Sequence, residues 1–105
     1  MTDKIFVLTT ASSKDEARKI GRVLVERLLA ACVSIVPQVD SVQRRAGPIE
    51  EAGESLVRVH ALRSAFERVR DAINELHSYD VPECISVAID EGSAEYLSWI
   101  GQSVK

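Results

Sequence analysis

Apolar and polar positions alternate along this chain in blocks that change period, and each change marks an element. Ile5-Phe6-Val7-Leu8 is a short apolar run rich in β-branched residues, which predicts a strand over Lys4–Thr10 covered on both faces and so central in a sheet. A helical period follows at once: Ala17, Ile20, Leu24 and Leu28 recur at spacings of three and four and form one apolar stripe. Ser13-Lys14-Asp15-Glu16 opens that helix as a capping box, with Ser13 capping and Glu16 reaching back. Gly21 beside the stripe costs about 1 kcal/mol against Ala, which close packing on a sheet would explain.

The period returns to two over Cys32–Arg45, a long second strand with Val33, Ile35 and Val39 on one face and Cys32, Ser34 and Val36 on the other. Pro37 lacks an amide donor and predicts an edge or a bulge there. Ala46-Gly47-Pro48 is a turn, and Ile49–Leu62 contains the returning strand, with the polar segment Glu50–Glu54 exposed or bulged near its start. A second helix opens at Ser64-Ala65-Phe66-Glu67, another capping box, carries a stripe of Phe66, Val69, Ile73 and Leu76, and stops at His77–Asp80 before Pro82. Glu83–Ile89 is a fourth strand, and Ala94–Val104 a closing helix with Leu97, Ile100 and Val104 inward.

The order βαββαβ plus a terminal helix fits the ferredoxin-like α+β sandwich, one domain over residues 1–105, with both main helices on one face of an antiparallel sheet. The other sheet face keeps several apolar positions, so self-association is expected. Thirteen Lys+Arg against sixteen Asp+Glu give a net charge of −3, which argues against nucleic acid as a partner. The longest apolar run, Leu28–Val33, is far too short to cross a membrane. Two cysteines, Cys32 and Cys84, with no CxxC pair and no secretory leader, lead us to expect a reduced, cytoplasmic protein.

Four blocks in order carry a resemblance. Thr9-Thr10-Ala11 closes the first strand, Leu28–Pro37 reads LLAACVSIVP, His77–Glu83 reads HSYDVPE, and Tyr96–Ile100 reads YLSWI. Together they resemble the CutA divalent-cation tolerance family over nearly the whole chain. That resemblance implies a ferredoxin-like subunit in a homotrimer, with strands continuing across subunit boundaries, copper or other divalent-metal binding, a part in metal tolerance, and no enzymatic activity. It also implies likeness to the trimeric PII signalling proteins. The chain departs from the family pattern at Val42–Gly47, which lacks the usual aromatics, at His60-Ala61 in place of Lys-Thr, and at Ser78 in place of Pro. Family members with a described copper site have a Cys at the end of the first strand and neighbouring histidines; Thr9, Leu76 and His77 stand there, so only His77 is kept.

The candidate metal residues are His77, Cys32 and His60. Neutral imidazole suits copper or zinc, and thiolate suits Cu(I). Each has a plainer reading: His77 as a residue meeting free carbonyls at a helix end, His60 as a half-exposed strand residue, and Cys32 as a small hydrophobe. A ligand or interface cleft is expected from Glu83, Tyr79, Trp99, Arg44 and Arg45. Glu83 offers a carboxylate, the two aromatics suit interfaces, and the arginines form a small basic patch that is equally a solvated turn. No Gly-rich phosphate loop, HExxH, EF-hand loop or nucleophile elbow occurs, and no organic cofactor is expected. The leading expectation is a non-enzymatic metal-tolerance homotrimer. Its alternative is a PII- or ACT-like module sensing a small molecule or anion between subunits, and a third is a trimer valued for stability alone.

Overall fold

Strict alternation in the first strand sets the layering. In the computed structural model, which describes residues 2–44 and 46–105, strand β1 (Lys4–Ala11) buries Ile5, Val7, Thr9 and Ala11 on one face. Helix α1 (Lys14–Glu26) and helix α2 (Phe66–Leu76) cover that face with Ala17, Ile20, Leu24, Val69, Ala72 and Ile73. Strands β2 (Cys32–Arg44), β3 (Ile49–Leu62) and β4 (Ile85–Ala88) complete an antiparallel sheet in the order β2-β3-β1-β4, so β1 is interior as its apolar run predicts. Helix α3 (Ala94–Ser103) closes the chain, burying Ile100 and, just beyond it, Val104. This is the expected ferredoxin-like α+β arrangement.

Gly21 faces Val33 on β2. A Cβ built there would lie 3.0 Å from Val33 Cγ1 and 3.2 Å from its Cβ, so the glycine is what lets α1 seat on the sheet. At the other end of α1 the chain turns through a Schellman arrangement. Leu29 N–H donates to the Leu24 carbonyl and Leu28 N–H to that of Val25, with Leu28 at φ 61° where glycine is the usual residue. Pro37 does mark a bulge: the β2–β3 register shifts between Val36 and Val39, and Gln38 takes φ 60°. Beyond the bulge, Val39–Arg44 pairs with Ile49–Glu54 and with no other strand among the described residues, since β1 ends at the Ala11–Ser55 pair. The hairpin therefore projects from the body as a two-stranded arm.

Several expectations need correction. Leu28 does not continue the apolar stripe of α1, because the helix ends at Glu26 and Leu28 stands exposed in the turn beyond it. Ser13 caps α1 by accepting from Glu16 N–H at 3.1 Å, but the Glu16 carboxylate bonds Ser12 rather than Ser13. Ser64 does not cap α2; a 3-10 turn over Arg63–Ala65 leads into the helix, whose N-cap is Ala65 without a side-chain bond. The fourth strand is shorter than Glu83–Ile89, because only Ile85–Ala88 reaches β1.

The sheet face away from α1 and α2 is laid out in rows by the registers. One row reads Cys32, His60, Phe6, Val87; the next Ser34, Arg58, Leu8, Ile85; the third Val36, Leu56, Thr10. Val36, Ile85 and Val87 stay 50%, 51% and 44% exposed on it. Helix α3 lies against the first row, where Tyr96 meets His60. No helix is long and apolar enough to cross a membrane among the described residues.

Candidate functional site

The candidate residues fall into two clusters at opposite ends of β1. The first gathers where α2 ends and the chain crosses the end of β1. His77 caps α2, its N–H donating to the Ile73 carbonyl. Its ring Nδ1 accepts from Tyr79 N–H at 3.1 Å, so the ring proton sits on Nε2, which donates to the Thr10 carbonyl at 2.6 Å. The Tyr79 ring tilts over the imidazole with centroids 4.6 Å apart. Tyr79 Oη in turn donates to Glu54 Oε2 at 2.6 Å. The sequence predicts an exposed or bulged polar segment over Glu50–Glu54; in the fold Glu54 is 6% exposed and takes this phenolic bond.

Glu16 locks the same loop from the helix side. Its Oε2 accepts from Ser78 N–H at 2.9 Å, and its Oε1 accepts from Ser12 N–H at 2.9 Å and Ser12 Oγ at 3.0 Å. Burial works to raise the pKa of this carboxyl, but the bonds from Ser78 and Ser12 outweigh it and hold the group at about 2. Thr10, Gln43, Glu54, Tyr79 and Glu83 then line a groove of about 480 Å3 between the base of the hairpin arm and the α2–β4 connection. Among the described residues its walls carry two carboxylates and no cation. It suits a ligand with hydroxyl, amide or cationic groups better than an anion.

The second cluster lies where α3 meets the open sheet face. Arg58 Nε donates to His60 Nε2 at 3.0 Å, which places the imidazole proton on Nδ1, within 2.7 Å of Tyr96 Oη. Burial, with the Arg58 cation second, holds the His60 pKa below its ordinary value. At 4% exposure His60 is buried rather than half-exposed, because Phe6, Tyr96 and its own strand enclose it. Burial also raises the phenol pKa of Tyr96. Trp99 packs on Tyr96 with ring centroids 5.5 Å apart. Cys32 pairs directly with His60 across β2 and β3, and its sulfur is 3.9 Å from Ser34 Oγ. Cys84 is half-buried, and burial pushes its thiol pKa up.

Cys32 and His60 therefore come together, while His77 stands at the other end of β1, where its partner is Thr10. Both ring nitrogens of each histidine are already engaged in hydrogen bonds. Among the described residues no group of three His, Cys, Asp or Glu side chains is placed to hold a metal ion. The described residues of one subunit do not fit a bound divalent ion. The cleft residues divide as well: Glu83 and Tyr79 share the groove, Trp99 belongs to the α3 cluster, and the Arg44 guanidinium donates to the Gly47 carbonyl at the hairpin tip. Arg45 lies outside the described residues. The bonds of Glu16 to Ser78 and of Glu54 to Tyr79 have no signal in the sequence, since no local spacing marks partners sixty-two and twenty-five residues away; Arg58 reaches His60 within its own strand, two residues on, and carries no motif that marks it.

Comparison with known proteins gives these clusters a family. A family model described as "CutA1 divalent ion tolerance protein" matches residues 5–103. The chain is 41% identical over 97 residues to "Divalent-cation tolerance protein CutA" of Thermus thermophilus, covering 92% of this chain and 94% of that protein. Its structure is similar to that of CutA from Xylella fastidiosa, with a TM-score of 0.97, 32% identity, and 99% and 100% of the two chains covered. It is similar too to a structure described as the periplasmic divalent cation tolerance protein CutA from Archaeoglobus fulgidus, with a TM-score of 0.94, 37% identity, and 97% and 99% covered. Animal and plant relatives are longer, and the chain spans about half to two thirds of them.

Proposed function

The chain belongs to the CutA1 divalent ion tolerance family, and from that premise we propose that it serves tolerance to divalent cations as a non-enzymatic homotrimer whose binding clefts are completed between copies. The observation that carries this reading is the open sheet face. Val36, Ile85 and Val87 are left about half exposed on it beside Leu8 and Leu56, and a free monomer gains nothing from presenting them to water. The groove of Thr10, Tyr79 and Glu83 sits at the edge of that face, so a copy seated there would wall it off. We read the location as cytoplasmic, on the strength of two unpaired cysteines.

Copper is the ion to test first, because imidazole and thiol side chains suit it among divalent and monovalent metals. In this reading an ion meets donors from more than one copy, since the imidazoles of one subunit are committed to Thr10, Tyr79, Arg58 and Tyr96. The second reading, a small-molecule sensing module, is favoured by the acidic groove itself and takes a cationic or hydroxylated ligand rather than an anion.

Light scattering on the purified protein should give three times 11.6 kDa at micromolar concentration. Titration calorimetry with Cu(II) should then show binding by the assembled protein. Thermal shifts produced by metabolites but not by any divalent metal would move the assignment to the sensing module. A particle of one chain's mass at every concentration would overturn both.

A further inference from the structure

We infer that Arg58 is the seat of an ion pair between copies of this chain: its guanidinium receives a carboxylate from the neighbouring copy that covers the open sheet face. This rests on the proposed oligomer and adds to it the charge that fixes how the copies meet. Arg58 stands in the middle row of that face, paired with Ser34 on one side and Leu8 on the other, with Ile85 beyond Leu8. The adjoining rows hold Val36, Leu56 and Thr10 on one flank and Cys32, His60, Phe6 and Val87 on the other. With His60 accepting at Nε2 and so neutral, Arg58 alone carries a formal charge in these rows.

The guanidinium is held in place. Nε donates to His60 Nε2 at 3.0 Å, and the guanidinium carbon lies 5.1 Å from the centre of the Phe6 ring. These two contacts use the Nε edge and one face of the plane. They leave the Nη1 and Nη2 ends, with no acceptor among the described residues; the ion pairs there are Lys4–Asp3, Arg27–Glu75 and Arg70–Asp71. An open guanidinium fork on a fixed stem is matched by a carboxylate.

The surroundings decide where that carboxylate comes from. Whatever covers Val36, Ile85 and Val87 also removes Arg58 from water, and a guanidinium left dry and unpaired is strongly unfavourable. The layer that covers it must bring an acceptor. A second copy supplies one readily: the chain has sixteen acidic residues against thirteen basic ones. Glu91 and Glu95, both exposed beside the start of α3, have no partner among the described residues.

The test compares parent, Arg58→Met, Arg58→Lys and Arg58→Glu by light scattering across a dilution series, in phosphate-free buffer, with circular dichroism to confirm the fold. Met keeps the length and the apolar contacts but strands the opposing carboxylate. Assembly by Arg58→Met should weaken at least tenfold, Arg58→Glu should not assemble, and Arg58→Lys should fall between parent and Met. Glu91→Arg or Glu95→Arg in the Arg58→Glu background should restore the oligomer if that carboxylate is the one opposite. An Arg58→Met oligomer as tight as the parent, or tighter, overturns the ion pair while leaving the oligomer standing, and so does a parent oligomer that forms only when free phosphate is added. A parent that never assembles overturns the oligomer itself and this pair with it.

Discussion

The carboxylate of Glu16 accepts the backbone N–H of Ser78 at 2.9 Å, across sixty-two residues of chain. One side chain in the first turn of α1 thereby pins the loop that carries His77 and Tyr79. Because its other oxygen holds Ser12, Glu16 ties both loops at this end of the molecule to each other.

This tie gives a pH dependence with a definite sign. The folded-state pKa of Glu16, about 2, lies below its ordinary value of 4.5, so the unfolded chain binds the proton more tightly. Its contribution is complete above pH 4.5 and is lost as the pH falls toward 2. Glu16→Gln should cost about 1–2 kcal/mol near neutral pH, after allowance for solvent screening, and the gap should close in acid. Urea unfolding of parent and variant at several pH values measures it.

His60 adds a separate, earlier loss. Its pKa is lowered from 6.5 by burial and then by Arg58, so the unfolded chain again takes up the proton first. Stability should decline as the pH drops below about 6.5, before Glu16 begins to titrate. His60→Gln, whose amide accepts from Arg58 and donates to Tyr96 without titrating, should abolish this upper step. Trp99 fluorescence, followed against pH, reads the integrity of that cluster.

The approach of α1 to β2 predicts that Gly21→Ala destabilises. Alanine favours a helix by about 1 kcal/mol over glycine. Here, however, the new methyl meets Val33 at both Cγ1 and Cβ, so no rotation of the valine relieves it. A net loss of about 1 kcal/mol in denaturant unfolding is expected.

Leu28 predicts the opposite. Its backbone at φ 61° is costly for a branched side chain, and the side chain is 42% exposed. Leu28→Gly should stabilise by about 1 kcal/mol, seen as a higher urea midpoint with an unchanged slope.

Tyr79→Phe should cost about 1–2 kcal/mol, because the phenol donates to a carboxylate that is almost fully buried. Thermal unfolding of the two proteins checks it.

Much of this architecture was legible before folding was considered. The runs at Ile5–Leu8 and Leu56–Ala61 and the helical stripes are local signals, and they placed β1 inside the sheet and both helices on one face. Pro37 and Gly21 were readable for the same reason: a missing donor and a missing side chain have consequences wherever they fall. The site was not readable in the same way. Glu54 sits in a polar stretch and looks solvated, yet a tyrosine twenty-five residues away encloses it. In sequence His60 and His77 are open to a ligand role or to a plainer one; in the fold their ring nitrogens are spent on Arg58, Tyr96, Thr10 and Tyr79, and His77 meets a carbonyl at its helix end as the plainer reading has it. Ser64 matched a capping pattern, but a 3-10 turn intervened. Motif spacing sees neighbours along the chain and is blind to those that topology brings in.

The arm beyond Pro37 has a consequence of its own. Among the described residues its strands pair with each other alone, and a bare two-stranded ribbon is barely stable in water. In an isolated subunit the amides of Val39–Arg44 and Ile49–Glu54 should trade their hydrogens for deuterium long before those of β1. Slow exchange in that ribbon would signal a neighbour's grip, which makes the hairpin a built-in clock for contact between molecules.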